Sequence, residues 1–180
     1  MGLGLLLLGY LLCINLLNVY FMVPSTVLRY LGLKKMAYIH PAFETARYVL
    51  FPLFVLGLLG TSLPIAGLLG WDIPSADLVG TIIYNLVNLL MPFYLYWLFC
   101  GIRHLTDEVG LPKLTVRAWR NQWFSLFYYV PALLLGLPFW EDSVFIRLST
   151  VFALAVGIVI FYMNAHLLHD CFRSIEIPEN

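Results

Sequence analysis

The side chains able to do chemistry in this chain are four histidines and the acids that travel with them. His40 precedes Glu44 by four residues, His104 precedes Asp107 and Glu108 by three and four, and His166 and His169 flank Asp170. On a helix, residues three and four apart share a face, so each group would present imidazole and carboxylate together. That donor set suits zinc, iron or manganese. A divalent-metal site drawn from His166, His169, His104 and Glu108 is therefore the metal-dependent reading that the spacing allows. The competing reading makes the same residues ordinary interface groups: a helix C-terminus favours imidazole and guanidinium, and Arg103 with Asp107 forms an ion pair four apart. We prefer the second, so no bound cofactor is expected. The sequence contains no H-E-x-x-H, G-x-S-x-G or glycine-rich phosphate loop, and no catalytic residue is assigned.

The elements that must position these groups are apolar. Of 180 residues 62% are hydrophobic and 11% charged, against roughly a quarter charged in soluble domains. Too few polar residues remain to cover a water-soluble fold, so the expected fold class is all-α, an integral membrane bundle with the lipid bilayer as its first partner. Five spans are expected, at about 2–23, 48–70, 78–100, 119–139 and 144–165. Segments 24–47 and 101–118 are expected as cytoplasmic loops and 166–180 as a cytoplasmic tail. Basic residues concentrate in the two long loops and are missing from 71–77 and 140–143, which places the N-terminus outside and the tail inside. Met1–Phe21 lacks a basic flank and a small-residue cleavage site, so it reads as a retained span.

Within the loops, Ser25 is expected to cap a short surface helix through Met36 that turns Arg29, Lys34 and Lys35 to headgroups. His40 and Pro41 mark the start of the next helix, and Thr115 another. The glycines at 57, 60, 67 and 70, with Pro64, read as small residues that let helices approach within one protomer. The net charge is zero, with ten basic and ten acidic residues, so no basic field exists to hold nucleic acid. Cys13, Cys100 and Cys171 have no motif spacing and read as reduced thiols.

Two pairs of intramembrane amides complete the polar inventory. Asn15 with Asn18 and Asn85 with Asn88 are each three apart on one face, and an amide in hydrocarbon must bond inward. They are expected to serve as polar packing. The pairs lie 70 residues apart (15 to 85), as do Arg47 and Arg117, and Pro64 and Pro131 lie 67 apart. These offsets suggest a duplicated helical hairpin plus one further helix, related by an axis along the membrane normal.

The stretches Gly2-Leu-Gly-Leu-Leu-Leu-Leu-Gly-Tyr10, Pro24, Tyr30-Leu-Gly-Leu-Lys-Lys-Met36 and Phe43-Glu-Thr-Ala-Arg47 resemble a set of small uncharacterised multi-spanning proteins of Gram-positive bacteria. The resemblance covers the first quarter of the chain and implies the bacterial plasma membrane. The resulting expectation is a multi-pass, non-catalytic accessory or scaffold subunit of the bacterial envelope, bound to another membrane protein or to itself. Its rivals are a membrane enzyme or metal-dependent protein using the inner-face histidines, and a small transport component using the asparagine faces.

Overall fold

The described residues form six helices, with Pro41, Gly70, Gly110 and Pro112 at the breaks between the second and the fifth. The computed structural model describes residues 2–12, 18–71, 74–135 and 144–175. Helix α1 is Gly2–Leu11, α2 Asn18–Met36, α3 Pro41–Leu68, α4 Ala76–Glu108, α5 Pro112–Leu135 and α6 Val144–Ser174. There is no strand among the described residues. Each helix packs on the next, and α1 packs on α6, so the bundle closes on itself. Three helices, Pro41–Leu68, Ala76–Glu108 and Val151–Ser174 within α6, are long and apolar enough to cross a bilayer. The fold class is all-helical as expected, and these helices fit a membrane protein.

The expected first span is not one helix. Helix α1 ends at Leu11, and α2 runs back beside it. Gly2 faces Gly32 and Gly9 faces Ser25, a spacing of seven residues in both helices with opposite directions. A Cβ on Gly32 would stand 2.8 Å from the Gly2 carbonyl oxygen, and one on Gly9 would stand 2.8 Å from the Ser25 carbonyl oxygen. Such small pairs bring backbones close enough for dispersion and Cα–H···O contacts to hold the helices together in lipid. A single span over 2–23 would have left these surfaces unpartnered. Ser25 is accordingly interior to α2 rather than a cap, and Met36 is buried.

This hairpin also changes the relation of the chain's two ends. A Cβ on Gly2 would meet Met36, and one on Gly4 would lie 3.0 Å from the Phe172 ring. The first turn of α1 therefore shares one end of the bundle with the last turns of α2 and α6, where charge counting had placed N-terminus and tail on opposite faces. The duplicated hairpin is not seen as expected, because α1 and α2 stand where its first copy needed one span and α4 is a single 33-residue helix. Asn15 lies outside the described residues, as do Pro131's and Asn18's side chains. Helices α3 and α5 nevertheless both open on proline, Pro41 and Pro112.

The loops are shorter than expected. Helix α4 runs eight residues past Cys100 before Gly110 stops it at φ +73. The Gly110 N–H bonds the Asp107 carbonyl at 3.0 Å and the Leu111 N–H the Thr106 carbonyl at 2.8 Å. That is the six-to-one closure of a Schellman turn, which requires a left-handed residue and selects glycine. Helix α5 then begins at Pro112, a turn before Thr115, whose hydroxyl bonds Thr106 instead at 3.0 Å. Helix α3 starts at Pro41 with His40 as its cap, as the sequence indicates, and continues through Pro52 and Pro64.

The core occupies the half of the bundle nearest the histidines. Leu3, Leu6, Leu33, Phe43, Phe99, Ile102, Leu167 and Leu168 are all buried there. Gly101 admits the Phe43 ring, since a Cβ would approach it to 2.8 Å. In the other half, Leu58, Leu68, Leu78, Ile82 and Leu89 are exposed. Nothing lies within 4 Å of a Cβ built on Gly67, Gly70 or Gly80, so these glycines do not serve packing among the described residues. Replacing Gly9 by Val should therefore cost about 3 kcal/mol, because the opposing atom is backbone and cannot step aside. Gly67→Val should change stability by less than about 0.5 kcal/mol. Unfolding midpoints of the two variants in detergent test this, and equal losses would remove the hairpin contact as the dominant constraint.

Candidate functional site

Helix α1 is ten residues, about 15 Å long, and its last turn lies against α2 at Gly9. The last four carbonyls of a helix lack intrahelical donors, and hydrocarbon supplies none. One side chain answers this need at Gly9, and a second supports it. The Ser25 hydroxyl donates to the Gly9 carbonyl at 2.7 Å. Arg29 Nη2 donates to Ser25 Oγ at 2.9 Å, and Nε reaches the Ser25 carbonyl at 3.5 Å. The guanidinium lies 5.6 Å from the centre of the Tyr94 ring, over its face. Arg29 is only 3% exposed, which corrects its expected place among headgroups. The negative end of the α1 dipole offsets part of the cost of burying it.

The same layer continues across the bundle. Asn164 on α6, fully buried, donates through Nδ2 to the Tyr10 hydroxyl at 2.9 Å and to Ser125 Oγ at 3.1 Å. One amide thus ties α6 to α1 and α5, and Tyr10 also stacks on Phe161 with ring centres 4.6 Å apart. Further along α5, Asn121 donates to the Met163 carbonyl at 3.0 Å and Gln122 to the Tyr96 carbonyl at 3.4 Å. These two buried amides pin α5 to both neighbours. Asn85 and Asn88 face inward on α4, Asn88 buried, while Leu86 and Leu89 beside them face out. Asn15's and Asn18's side chains lie outside the described residues.

The histidine face lies one to two helical turns beyond this layer. His40 caps α3 by accepting the Ala42 N–H on Nδ1 at 3.1 Å. Its ring stacks on His104 with centres 4.4 Å apart and planes 13° from parallel. On the facing side, Arg117 Nη1 donates to Asp170 Oδ2 at 2.5 Å. His166 Nδ1 stands 2.9 Å from Arg117 Nη2 and 3.0 Å from Asp170 Oδ2. A neutral imidazole accepts from the arginine there, and a protonated one donates to the aspartate. His169 Nδ1 lies 3.6 Å from Asp170 Oδ1.

The four residues of the metal-dependent reading are thus divided. His104 engages His40, with Glu108 close enough to act on that ring, while His166 and His169 engage Asp170. Among the described residues no group of three or more histidines, cysteines and acids gathers in one coordination shell. A metal at Asp170 would have to displace a guanidinium already paired with it. Cys100 and Cys171 are free thiols. Arg29, Asn164 and Tyr10 are what residue types alone did not single out. The available signal was the matched spacing of Gly2 and Gly9 with Ser25 and Gly32, which puts Arg29 one turn from a packed backbone.

No protein-family model, curated protein or solved structure matches the chain.

Two outcomes follow from this chemistry. Ser25→Ala removes the donor to a buried carbonyl and should cost about 2 kcal/mol; an unchanged unfolding midpoint would mean that another group satisfies Gly9. The second concerns pH. Burial first, and then the neighbouring His104, lower the His40 pKa below its ordinary value, with Glu108 opposing. The unfolded chain then takes up the proton before the folded one. Stability is therefore full above about pH 6.5 and declines as pH falls toward the lowered folded pKa. Protonation would also remove the acceptor that caps α3. His40→Asn retains a capping oxygen without titrating, so its stability should vary less between pH 7 and pH 5 than that of the wild type, as followed by thermal unfolding.

Proposed function

We propose that this chain is a four-crossing protein of the bacterial plasma membrane with a returning N-terminal hairpin, and that it acts as a non-catalytic accessory or scaffold subunit. In this reading α5 is the fourth crossing. It begins at the end where α4 stops and must run back toward the end where α6 starts. The histidine face is cytoplasmic. Lys34, Lys35, Arg47, Arg103, Lys113, Arg117, Arg120 and Arg173 all belong to helix turns near that end, while Asp77 lies at the other. Bacterial origin rests on the resemblance of the first quarter of the sequence.

The observation that carries the accessory role is where internal packing stops. The buried polar side chains of the inner half hold helices to one another, which is work of assembly rather than catalysis. In the outer half, α3 and α4 turn apolar side chains outward, and Gly67 and Gly80 leave hollows in their surfaces. Lipid chains solvate such a surface, but hollows flanked by leucine also admit a neighbouring helix closely. The partner is another membrane protein or a second copy of this chain.

Photocrosslinking residues placed at Leu68 and Val79 in native membranes should give protein adducts of discrete higher mass. Lipid adducts alone, with the chain migrating as a monomer, would end the accessory reading. For topology, tags before Met1 and after Asn180 should both be reached from the cytoplasmic side only, and a cysteine at Asp77 from the outside. Tags on opposite sides would restore a single first span.

A further inference from the structure

A groove of about 230 Å³ runs between α2 and α3 on the flank of the bundle. Thr26 and Leu50, both buried, lie at its base, and the exposed Val27, Tyr30 and Phe51 form its edges together with Phe54. The two helices run in opposite directions, so the groove has an order along its length. Val27 and Phe54 lie toward the middle of α3, and Tyr30 lies toward the histidine end. One turn beyond Tyr30 on α2 stands Lys34, and one turn before Leu50 on α3 stands Arg47. The Arg47 guanidinium lies 6.0 Å from the centre of the Tyr30 ring, which places a cation at the histidine-side end of the groove.

Three features select an occupant. Arg47 is held in place but not satisfied. It also lies 5.4 Å from the centre of the Tyr48 ring, and such ring contacts use none of its N–H donors. Among the described residues its one hydrogen bond is to Glu44 Oε1 at 3.4 Å, well beyond the length of about 2.7–2.9 Å typical of a charge-assisted bond. Glu44 itself accepts from the Tyr48 hydroxyl at 3.3 Å. Most of the guanidinium edge is therefore available for a planar two-point contact with a phosphate. Lys34 is exposed, and its long stem lets the ammonium reach the same group. The groove beside them is apolar and narrow: a helix about 10 Å across would meet only its edges, whereas a single acyl chain can lie along it. Tyr30, Tyr38 and Tyr48 are exposed near this end, as aromatic residues at headgroup depth are. Cation, tyrosine and hydrocarbon thus follow one another as phosphate, glycerol and acyl chain do in a phospholipid.

We propose that the groove between α2 and α3 holds one acyl chain of an anionic phospholipid, whose phosphate is bound by Arg47 and Lys34 in the leaflet on the histidine side. A zwitterionic lipid fits less well, because its ammonium would be brought up to the same two cations. Glu44 works against the anion and sets a limit on its affinity. The site requires that α2 and α3 lie in a bilayer, and it stands whether or not the outer faces of α3 and α4 hold a partner.

The test uses the full chain in phosphatidylcholine nanodiscs doped with a phosphatidylglycerol whose acyl chain carries a diazirine. A phosphatidylcholine with the same chain is the reference, and peptide mass spectrometry maps the label. Val27, Phe51 and Phe54 should be labelled about fivefold or more in favour of the phosphatidylglycerol, since one cation beside an anionic headgroup is worth about that factor. Arg47→Gln should cut the preference about fivefold. Glu44→Gln, which removes the carboxylate competing for Arg47, should raise it. Lys113→Gln, at the same end of the bundle but on α5, should leave it unchanged. Val27→Trp fills the groove from its edge and should lower the labelling of Phe51 and Phe54 by both lipids. Should Arg47→Gln fail to fold, Glu44→Gln and Lys113→Gln decide the question. Equal labelling by the two lipids, or a preference that survives Arg47→Gln, would overturn the phosphate site. An equal loss in Lys113→Gln would make the effect a diffuse field of that end, and label spread evenly around the bundle, or unchanged in Val27→Trp, would remove the groove.

Discussion

The last turn of α1 packs so closely on α2 that the Gly9 carbonyl accepts a hydrogen bond from the Ser25 hydroxyl, and much of that half of the bundle is arranged around this contact. Gly9 and Ser25 approach so closely that a methyl group would not fit between them. This brings the Ser25 hydroxyl onto the Gly9 carbonyl and Arg29 onto Ser25. A buried guanidinium is expensive in hydrocarbon. Here it faces the negative end of a helix dipole and the π-face of Tyr94, each of which favours a cation. Removing the glycine would separate the helices, and removing the arginine would expose the dipole, so packing and electrostatics depend on each other at this point.

The helices of the second half were legible because period, length and punctuation agree there. His40-Pro41 and Gly110 state their roles through local chemistry: a cap acceptor before a proline, and a residue free to adopt positive φ. The first run was misread for a physical reason. Length and hydropathy are the same for a spanning helix and for half of a hairpin, and no proline between Gly2 and Val23 marks a break. What separates the two is a relation between segments, Gly2 and Gly9 matching Gly32 and Ser25 in antiparallel register. Such a relation is visible only when the two stretches are compared at the spacing of a helix interface.

The polar site divides in the same way. The histidines were found at one face because their positions follow helix ends, yet their partners were not, since His40 with His104 and His166 with Arg117 depend on which helices adjoin. Spacing along one helix places His166 near Asp170 but says nothing of an arginine 53 positions before that aspartate. Asn85 and Asn88 were expected inward because an amide facing lipid is costly regardless of fold, and Asn88 is buried. Arg29 went wrong by the opposite rule: a basic residue near a helix end ordinarily snorkels, and only the hairpin denies it that route.

The two ends of the bundle then differ in kind. Near the histidines, amides and hydroxyls cross from helix to helix at Asn121, Gln122 and Asn164. Each such bond in a low-dielectric interior fixes the register of two helices as well as their separation. Toward the other end α3 and α4 turn Leu58, Leu68, Leu78 and Ile82 outward, and dispersion contributes more of the contact there. Lateral forces from lipid or from a neighbouring helix would therefore move the outer half more easily than the inner.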